Sequence, residues 1–420
     1  MARIRVDQPT ALSDQALEIV LEGFAADATV EVVASRRDFM NNGWRAWARF
    51  RADADGRVDL STAQPLVGTY SDPSAMGLFW SMQLTEPRAE GDPERDITGA
   101  IEVHLAARGG GEAEATVRRI FCAPGVTDRW LDDGGNVGLL FLPPSAGPHP
   151  AVIVLSGSSG GINLPTAALL ASRGFAALAL GYFNMPGLPP TLDAIPLEYF
   201  AAAIAALHRQ PEAGAGPLAA MGISRGGELA LLLGATYPEI GAVVATVPSG
   251  VVHGGLTRPR GPAWTLRGEP VDWLQRDNAC TDLSLVENQE RRVATTPLFE
   301  SSLRDAEAVA RSMIPVECIQ GPVLLISGRD DRMWPSTAMA ELSLRRLREH
   351  GHPHAVEHLA YDGAGHLIHP PFAPTTRRYQ KHGVLGTEFD YGGGPAANAH
   401  ACADSWPKVL DFLGTALRTT

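Results

Sequence analysis

Two stretches of the chain carry the pattern Gly-x-Ser-x-Gly: Gly157-Ser158-Ser159-Gly160-Gly161 and Gly222-Ile223-Ser224-Arg225-Gly226. A serine so flanked becomes a nucleophile when a sharp strand-to-helix turn lifts its hydroxyl clear of the backbone, and the glycines let neighbouring backbones approach. With 44 glycines in the chain, chance also produces such matches, so the surroundings decide. Ser224 precedes Gly226-Gly227-Glu228-Leu229-Ala230-Leu231-Leu232-Leu233, which favours helix from its first turn. Ser159 precedes Gly160-Gly161-Ile162-Asn163-Leu164-Pro165, which delays any helix until about Pro165. Ser224 is therefore the expected nucleophile.

A serine hydroxyl is a poor nucleophile without a base, and in an α/β-hydrolase the acid and then the histidine follow the serine in chain order. The apolar run Val323–Ser327 leads into Gly328-Arg329-Asp330-Asp331-Arg332-Met333-Trp334-Pro335, and either aspartate there lies at a strand end suited to orienting an imidazole. The spacing Gly-x-x-Asp-x-x-Trp-Pro resembles the acid loop of that fold and favours Asp331. Asp330 is the second candidate, with hydrogen bonding to the loop backbone as its other role. Six histidines follow: His350, His352, His354, His358, His366 and His369. The first four sit on a helix end and a strand, without the convergence a metal needs. His366 ends the glycine-flanked loop Tyr361-Asp362-Gly363-Ala364-Gly365-His366 and is the expected base, with His369 structural. The first Gly-x-Ser-x-Gly copy then has a different task. Its place after an early strand assigns the backbone N–H of Ser158 or Ser159, with that of Arg225, to an oxyanion hole. The set of residues says acyl transfer through an acyl-Ser224 intermediate, with no metal and no cofactor.

Two kinds of element position these groups. Up to about residue 130 the apolar pattern alternates, as in Trp44-Arg45-Ala46-Trp47-Ala48-Arg49-Phe50 and Ile101-Glu102-Val103-His104-Leu105, with turn signals at Asn41-Asn42-Gly43, Asp55-Gly56 and Gly109-Gly110-Gly111. Short strands at that spacing predict a β-sandwich over residues 1–135. The arginines Arg45, Arg49 and Arg51 read as a solvated sheet face or, less simply, as a basic stripe. Beyond about Gly138, aliphatic runs alternate with longer helical patterns, which predicts an α/β domain over 136–420: a mostly parallel sheet with helices on both faces. Its expected strands are Ala151–Leu155, Phe175–Leu180, Leu218–Ile223, Ala242–Val247, Val323–Ser327 and Ala355–Leu359. Residues 248–320 show no strand of that kind and are expected to form a cap over the sheet's C-terminal edge, where ligands bind. Trp264, Trp273 and Leu274 are candidates for an acyl pocket, with core packing as the alternative.

Composition narrows the partners. The 420 residues are 45% hydrophobic and 20% charged, with 47 acidic against 35 basic side chains and a net charge of −12. That sign argues against a nucleic-acid or anionic-membrane grip. Only Lys381 and Lys408 are lysines; the other basic residues are arginines, a bias of codon usage. Cys122, Cys280, Cys318 and Cys402 are widely spaced, which suits reduced thiols better than a disulfide framework. The expected location is cytoplasmic: the first residues lack a secretory apolar run, the last lack a peroxisomal signal, and nothing between approaches a membrane span.

Longer strings carry a more specific likeness. Val67-Gly68-Thr69-Tyr70, Met76-Gly77-Leu78-Phe79-Trp80-Ser81-Met82, Gly174-Phe175-Ala176-Ala177-Leu178-Ala179-Leu180-Gly181-Tyr182-Phe183, Gly365-His366-Leu367-Ile368-His369-Pro370-Pro371 and Ala401-Cys402-Ala403-Asp404-Ser405-Trp406 resemble, nearly end to end, the type I acyl-CoA thioesterases and bile acid-CoA:amino acid N-acyltransferases. That resemblance implies an immunoglobulin-like sandwich before an α/β-hydrolase domain, a triad on Ser224, Asp331 and His366, and a small acyl-thioester substrate. Members with a serine nucleophile resemble acyl-CoA hydrolases, whereas the conjugating enzymes carry cysteine, so Ser224 favours hydrolysis. An acyltransferase or oxyester hydrolase using the same triad is the alternative, and a catalytically dead binding protein is the rival from another class. If the substrate is polyanionic CoA, this acidic chain has to present a local basic patch; Arg225, Arg377, Arg378 and Lys381 are the candidates.

Overall fold

Alternating strands with tight turns build the N-terminal half. The computed structural model describes residues 1–89, 96–97, 99–131, 135–214, 216–257, 259–275, 290 and 292–417, so Cys280 lies outside the described residues. Contacts divide these into two units. The first comprises 1–123, 369–377 and 394–403, and the second 124–368, 378–393 and 404–420.

In the first unit, Thr29–Arg37 and Gly43–Arg51 pair antiparallel with Thr29 opposite Arg51. The turn between them is fixed by the Asp38 carboxylate, which accepts from the Asn42 N–H (2.9 Å) and the Trp44 Nε1–H (2.7 Å). Ile101–Arg108 and Glu112–Ile120 form the next hairpin. These strands belong to one seven-stranded sheet, while Arg3–Val6, Ile19–Glu22 and Val58–Asp59 form a second of three. Leu21, Val30, Val32, Phe50, Val103 and Leu105, all under 2% exposed, share the core between the two sheets, so the unit is a β-sandwich. Arg49 and Arg51 lie on its solvated face, where Arg49 Nε donates to Glu31 (2.8 Å) and Arg51 to the Asp27 carbonyl (2.9 Å).

Within the string Met76–Met82, Gly77–Trp80 forms a short helix whose Leu78 and Phe79 are buried. A Cβ on Gly77 would collide with the buried Tyr70 ring, which would have to shift to admit any larger residue. The late segment 369–377 is tied to the same place: the Thr375 N–H donates to the Trp80 carbonyl (2.9 Å), and Phe372 packs on the sandwich core. His369 and Cys402 meet in this unit as well, the His369 N–H donating to the Cys402 sulfur (3.4 Å).

The second unit is built on an eight-stranded sheet: β1 (Thr127–Leu131), β2 (Val137–Leu142), β3 (Ala151–Leu155), β4 (Ala176–Gly181), β5 (Leu218–Ile223), β6 (Ile240–Thr246), β7 (Val323–Gly328) and β8 (Val356–Tyr361). Their spatial order is β1-β2-β4-β3-β5-β6-β7-β8. β1 and β2 are antiparallel to their neighbours, and every pairing from β4 through β8 is parallel. All residues of β3 and β4 are buried, as expected of parallel strands covered on both faces. The covering helices include α1 (Leu164–Ser172), α2 (Leu197–His208), α3 (Arg225–Thr236) and α4 (Ser336–Glu349). Asn163 caps α1 by accepting from the Thr166 N–H (3.3 Å), with Pro165 in its first turn.

The six expected strands are all present in this α/β-hydrolase arrangement, with ends within two residues of those expected. β1 joins the sheet, so the break between units falls at Ala123, upstream of the expected 135. Between β6 and β7 the described residues add no strand to the main sheet; they form short strands of small side sheets and two short helices, Thr296–Ser302 and Ala306–Ser312. Among the described residues no helix is long and apolar enough to cross a membrane.

Candidate active site

Ser224 stands between β5 and α3 with φ 58° and ψ −121°, a conformation that costs an ordinary residue ~1–3 kcal/mol. The strain is held by hydrogen bonds on both sides: the Ser224 N–H donates to the Thr246 carbonyl (2.9 Å), and the Ser224 carbonyl accepts from Glu228 N–H (3.0 Å). The two flanking glycines are required by space. A Cβ on Gly222 would lie 2.0 Å from the Gly226 carbonyl oxygen, and one on Gly226 would lie 2.3 Å from that of Ser156. Backbone meets backbone at both points, so no side chain can move aside.

His366 Nε2 lies 2.9 Å from Ser224 Oγ, and His366 Nδ1 lies 2.8 Å from Asp331 Oδ2. Ser224, His366 and Asp331 are 9%, 4% and 4% exposed, so the relay is nearly withdrawn from water. The other Asp331 oxygen accepts from the Met333 N–H (2.9 Å) and the Trp334 N–H (3.3 Å), which fixes the carboxylate plane. Asp330 is spent on the loop: it pairs with Arg332 (2.7 Å) and accepts from the Gly393 N–H (3.1 Å). The loops that carry Asp331 and His366 are both stitched to the segment around Gly392. Asp331 bridges to Gly392, and the His366 N–H donates to the Tyr391 carbonyl (2.8 Å). Trp334 and Tyr391 flank the imidazole at 5.8 and 5.9 Å between ring centres, and the Trp334 indole N–H is tied to the Val247 carbonyl (3.0 Å).

The first Gly-x-Ser-x-Gly copy follows β3 and lies against Ser224: a Cβ on Gly157 would be 3.3 Å from Ser224 Cβ. Its turn is closed by Gly160 N–H to Gly157 carbonyl (3.1 Å), and Asn184 Nδ2 donates to the Ser159 carbonyl (2.9 Å). Arg225 supplies the first N–H of α3, one of those a helix leaves without an internal partner. The structure thus gathers the Ser158–Ser159 turn, Ser224, Arg225, Asp331 and His366 beyond the C-terminal ends of the parallel strands.

Below the elbow lies a buried ion pair absent from the sequence reading. Arg225 Nη1 is 3.2 Å from Glu228 Oε2, Arg225 Nη2 donates to the His253 carbonyl (2.9 Å), and Glu228 Oε1 accepts from Trp264 Nε1 (3.1 Å). Arg225 and Glu228 are 5% and 0% exposed. Trp264 is fully buried among Tyr182, Phe200 and the Arg225 guanidinium, so it is core, and Leu274 packs with Val251 and Ala308. Trp273 is partly buried against the main core. Of the candidate phosphate ligands, Arg225 is taken by Glu228, and Arg378 pairs twice with Asp390 (2.6 and 2.8 Å). His352 and His358 are committed to the Gly321 carbonyl and the Ser327 hydroxyl. Among the described residues, no three His, Cys, Asp or Glu side chains come together as a metal site.

A second feature missed in the sequence is His382, whose Nε2 lies 2.8 Å from Ser158 Oγ. Nothing in Lys381-His382-Gly383 signals it, because its place depends on a loop 224 residues after Ser158.

Comparisons with known proteins cover both units. Residues 14–133 match the model of the acyl-CoA thioester hydrolase/BAAT N-terminal region, and 195–419 that of the BAAT/acyl-CoA thioester hydrolase C terminal. Acyl-coenzyme A thioesterase 2, mitochondrial, of Mus musculus is 32% identical over 408 residues, covering 95% of this chain and 86% of that one. Acyl-coenzyme A thioesterase 1 of Homo sapiens is 32% identical over 407 residues, covering 95% and 93%. Among solved structures, a puromycin-hydrolysing peptidase of Mycobacterium tuberculosis superposes with a TM-score of 0.46 at 13% identity, over 99% of this chain and 68% of that one. Two family models spanning both units, with relatives a third identical along nearly the whole length, show that the chain belongs to the acyl-CoA thioester hydrolase/BAAT family.

Proposed function

We propose that the protein hydrolyses acyl-CoA thioesters through an acyl-Ser224 intermediate. The unbroken hydrogen-bond chain from Asp331 through His366 to Ser224, ending on a strained elbow, carries this reading. His366 Nε2 takes the Ser224 proton as Oγ bonds to the acyl carbon, and the carbonyl electron pair moves onto oxygen. Backbone N–H groups of the Ser158–Ser159 turn and of Arg225 receive that charge. The pair returns, the C–S bond breaks, and His366 gives its proton to the departing thiolate. Water, activated by the same imidazole, then releases the acid. Asp331 holds the imidazole tautomer and offsets its transient charge. Family membership supports a thioester as the bond cleaved, and the serine nucleophile favours water as acceptor.

The test is a panel of acyl-CoAs of varied chain length, with and without glycine or taurine, followed by thiol release and product mass. Thiol release abolished in Ser224→Ala is the expected result. Absence of release across the panel, or release undiminished in Ser224→Ala, refutes the proposal, and a conjugated product reassigns the acceptor to an amine.

A further inference from the structure

One buried histidine beside the relay takes no part in it. His382 is 2% exposed, and its ring is fixed at both nitrogens. Nδ1 accepts from the backbone N–H groups of Val384 (3.2 Å) and Leu385 (3.1 Å), while Nε2 lies 2.8 Å from Ser158 Oγ. A nitrogen that accepts two N–H groups carries a lone pair, so the ring proton sits on Nε2, which donates to the hydroxyl. The loop that presents the ring closes on itself: the His382 N–H donates to the Thr387 carbonyl and the His382 carbonyl accepts from the Gly386 N–H, both at 2.9 Å. Burial, with His366 nearby, holds the ring neutral by pushing its pKa down to about 4.

A hydroxyl that accepts from a fixed donor keeps its own hydrogen for another acceptor. Ser158 is only part-buried, and the residue before it lies against the nucleophile. On the acyl-Ser224 reading, the attacked carbonyl gains its negative charge beside this turn. We propose that the Ser158 hydroxyl is a further donor to that oxyanion, added to the backbone N–H groups, and that His382 is the positioning residue that aims it. The proposal rests on the acyl-Ser224 reading but not on the thiol leaving group, because the oxyanion is common to oxyesters and thioesters.

The experiment compares Ser158→Ala, Ser158→Thr, His382→Gln and the Ser158→Ala/His382→Gln double variant with the wild type, on an acyl-CoA and on a p-nitrophenyl acyl ester. An acyl trifluoromethyl ketone serves as a transition-state probe whose affinity is read without turnover. Removing one oxyanion donor lowers kcat about 10²-fold, and the ketone affinity should fall by a similar factor. KM should stay within about threefold, because the interaction is made only in the transition state. Ser158→Thr, which keeps the hydroxyl, should recover most of the loss. The double variant should be no worse than Ser158→Ala alone, since His382 acts through that hydroxyl. Ketone affinity and kcat within about threefold of wild type in a folded Ser158→Ala overturn the proposal, as do fully additive losses in the double variant. Should Ser158→Ala fail to fold, His382→Gln decides: a fall in kcat and ketone affinity at constant KM supports the proposal, and no change overturns it. A wild type that cleaves the ester but no acyl-CoA sinks the thioesterase reading and leaves this comparison intact.

Discussion

Replacing Glu228 by Gln should be among the most damaging single-atom changes in the second unit. Glu228 is fully buried, and its carboxylate faces the Arg225 guanidinium at 3.2 Å, itself 5% exposed. Glutamine keeps an oxygen to accept from Trp264 Nε1, so packing and that hydrogen bond survive. What is lost is the counter-charge, and an amide N–H₂ now confronts another donor. Breaking a buried pair by removing one partner costs about 3–5 kcal/mol, because the remaining charge has neither water nor a counter-charge. For a unit of this size that corresponds to a fall in Tm of about 6–20 °C. Arg225→Met in the Glu228→Gln background removes the orphaned charge and should recover part of that loss, although the Arg225 bond to the His253 carbonyl goes with it. Denaturant unfolding followed by tryptophan fluorescence is a direct assay, since Trp264 lies 5.9 Å from the guanidinium. A cost below about 1 kcal/mol for Glu228→Gln, or a double variant as unstable as the sum of both singles, refutes this account of the pair.

Two further outcomes follow from the site. Asp331→Asn should lower kcat by about 10⁴-fold by releasing the His366 tautomer, whereas Asp330→Asn, whose side chain serves Arg332 and the Gly393 N–H, should cost less than about tenfold; equal losses measured on one ester substrate would reverse the assignment of the acid. Because the folded pKa of His382 lies near 4 and its ordinary value near 6.5, the unfolded chain binds the extra proton between those values, so its contribution to stability is whole above 6.5 and is lost as pH falls to 4. His382→Gln should remove up to about 3 kcal/mol of that decline; unfolding titrations at pH 7 and pH 4 with equal declines in both proteins would contradict it.

Much of this was legible in the order of residue types. Ser224 stood out from Ser159 because a helix-forming run begins at once after it, and α3 begins at Arg225. Parallel strands were found because continuous apolar runs separated by helical patterns have few other solutions. β1 and β2 carry no such signal: they form an antiparallel pair with no crossover helix, so the alternation that marks the other strands is missing there. Periodicity also does not separate a pocket from a core, so the place of Trp264 depends on neighbours that only the fold supplies. Glu228 and His382 were invisible for a different reason. Each matters through partners brought by loops far along the chain, and no local pattern encodes such meetings.

The membership of 369–377 and 394–403 in the sandwich unit has a consequence for the order of synthesis. Residues 1–123 leave the ribosome first, yet Phe372 and the Thr375 strap reach them only after the whole second unit up to Ile368 has been made. At about 5–20 residues per second that wait is roughly 12–50 s. During it the nascent sandwich keeps uncovered the apolar ground that Phe372 later fills, and the carbonyl of Trp80 keeps water in place of Thr375. A stop codon just after His366 would therefore injure the sandwich far upstream of it.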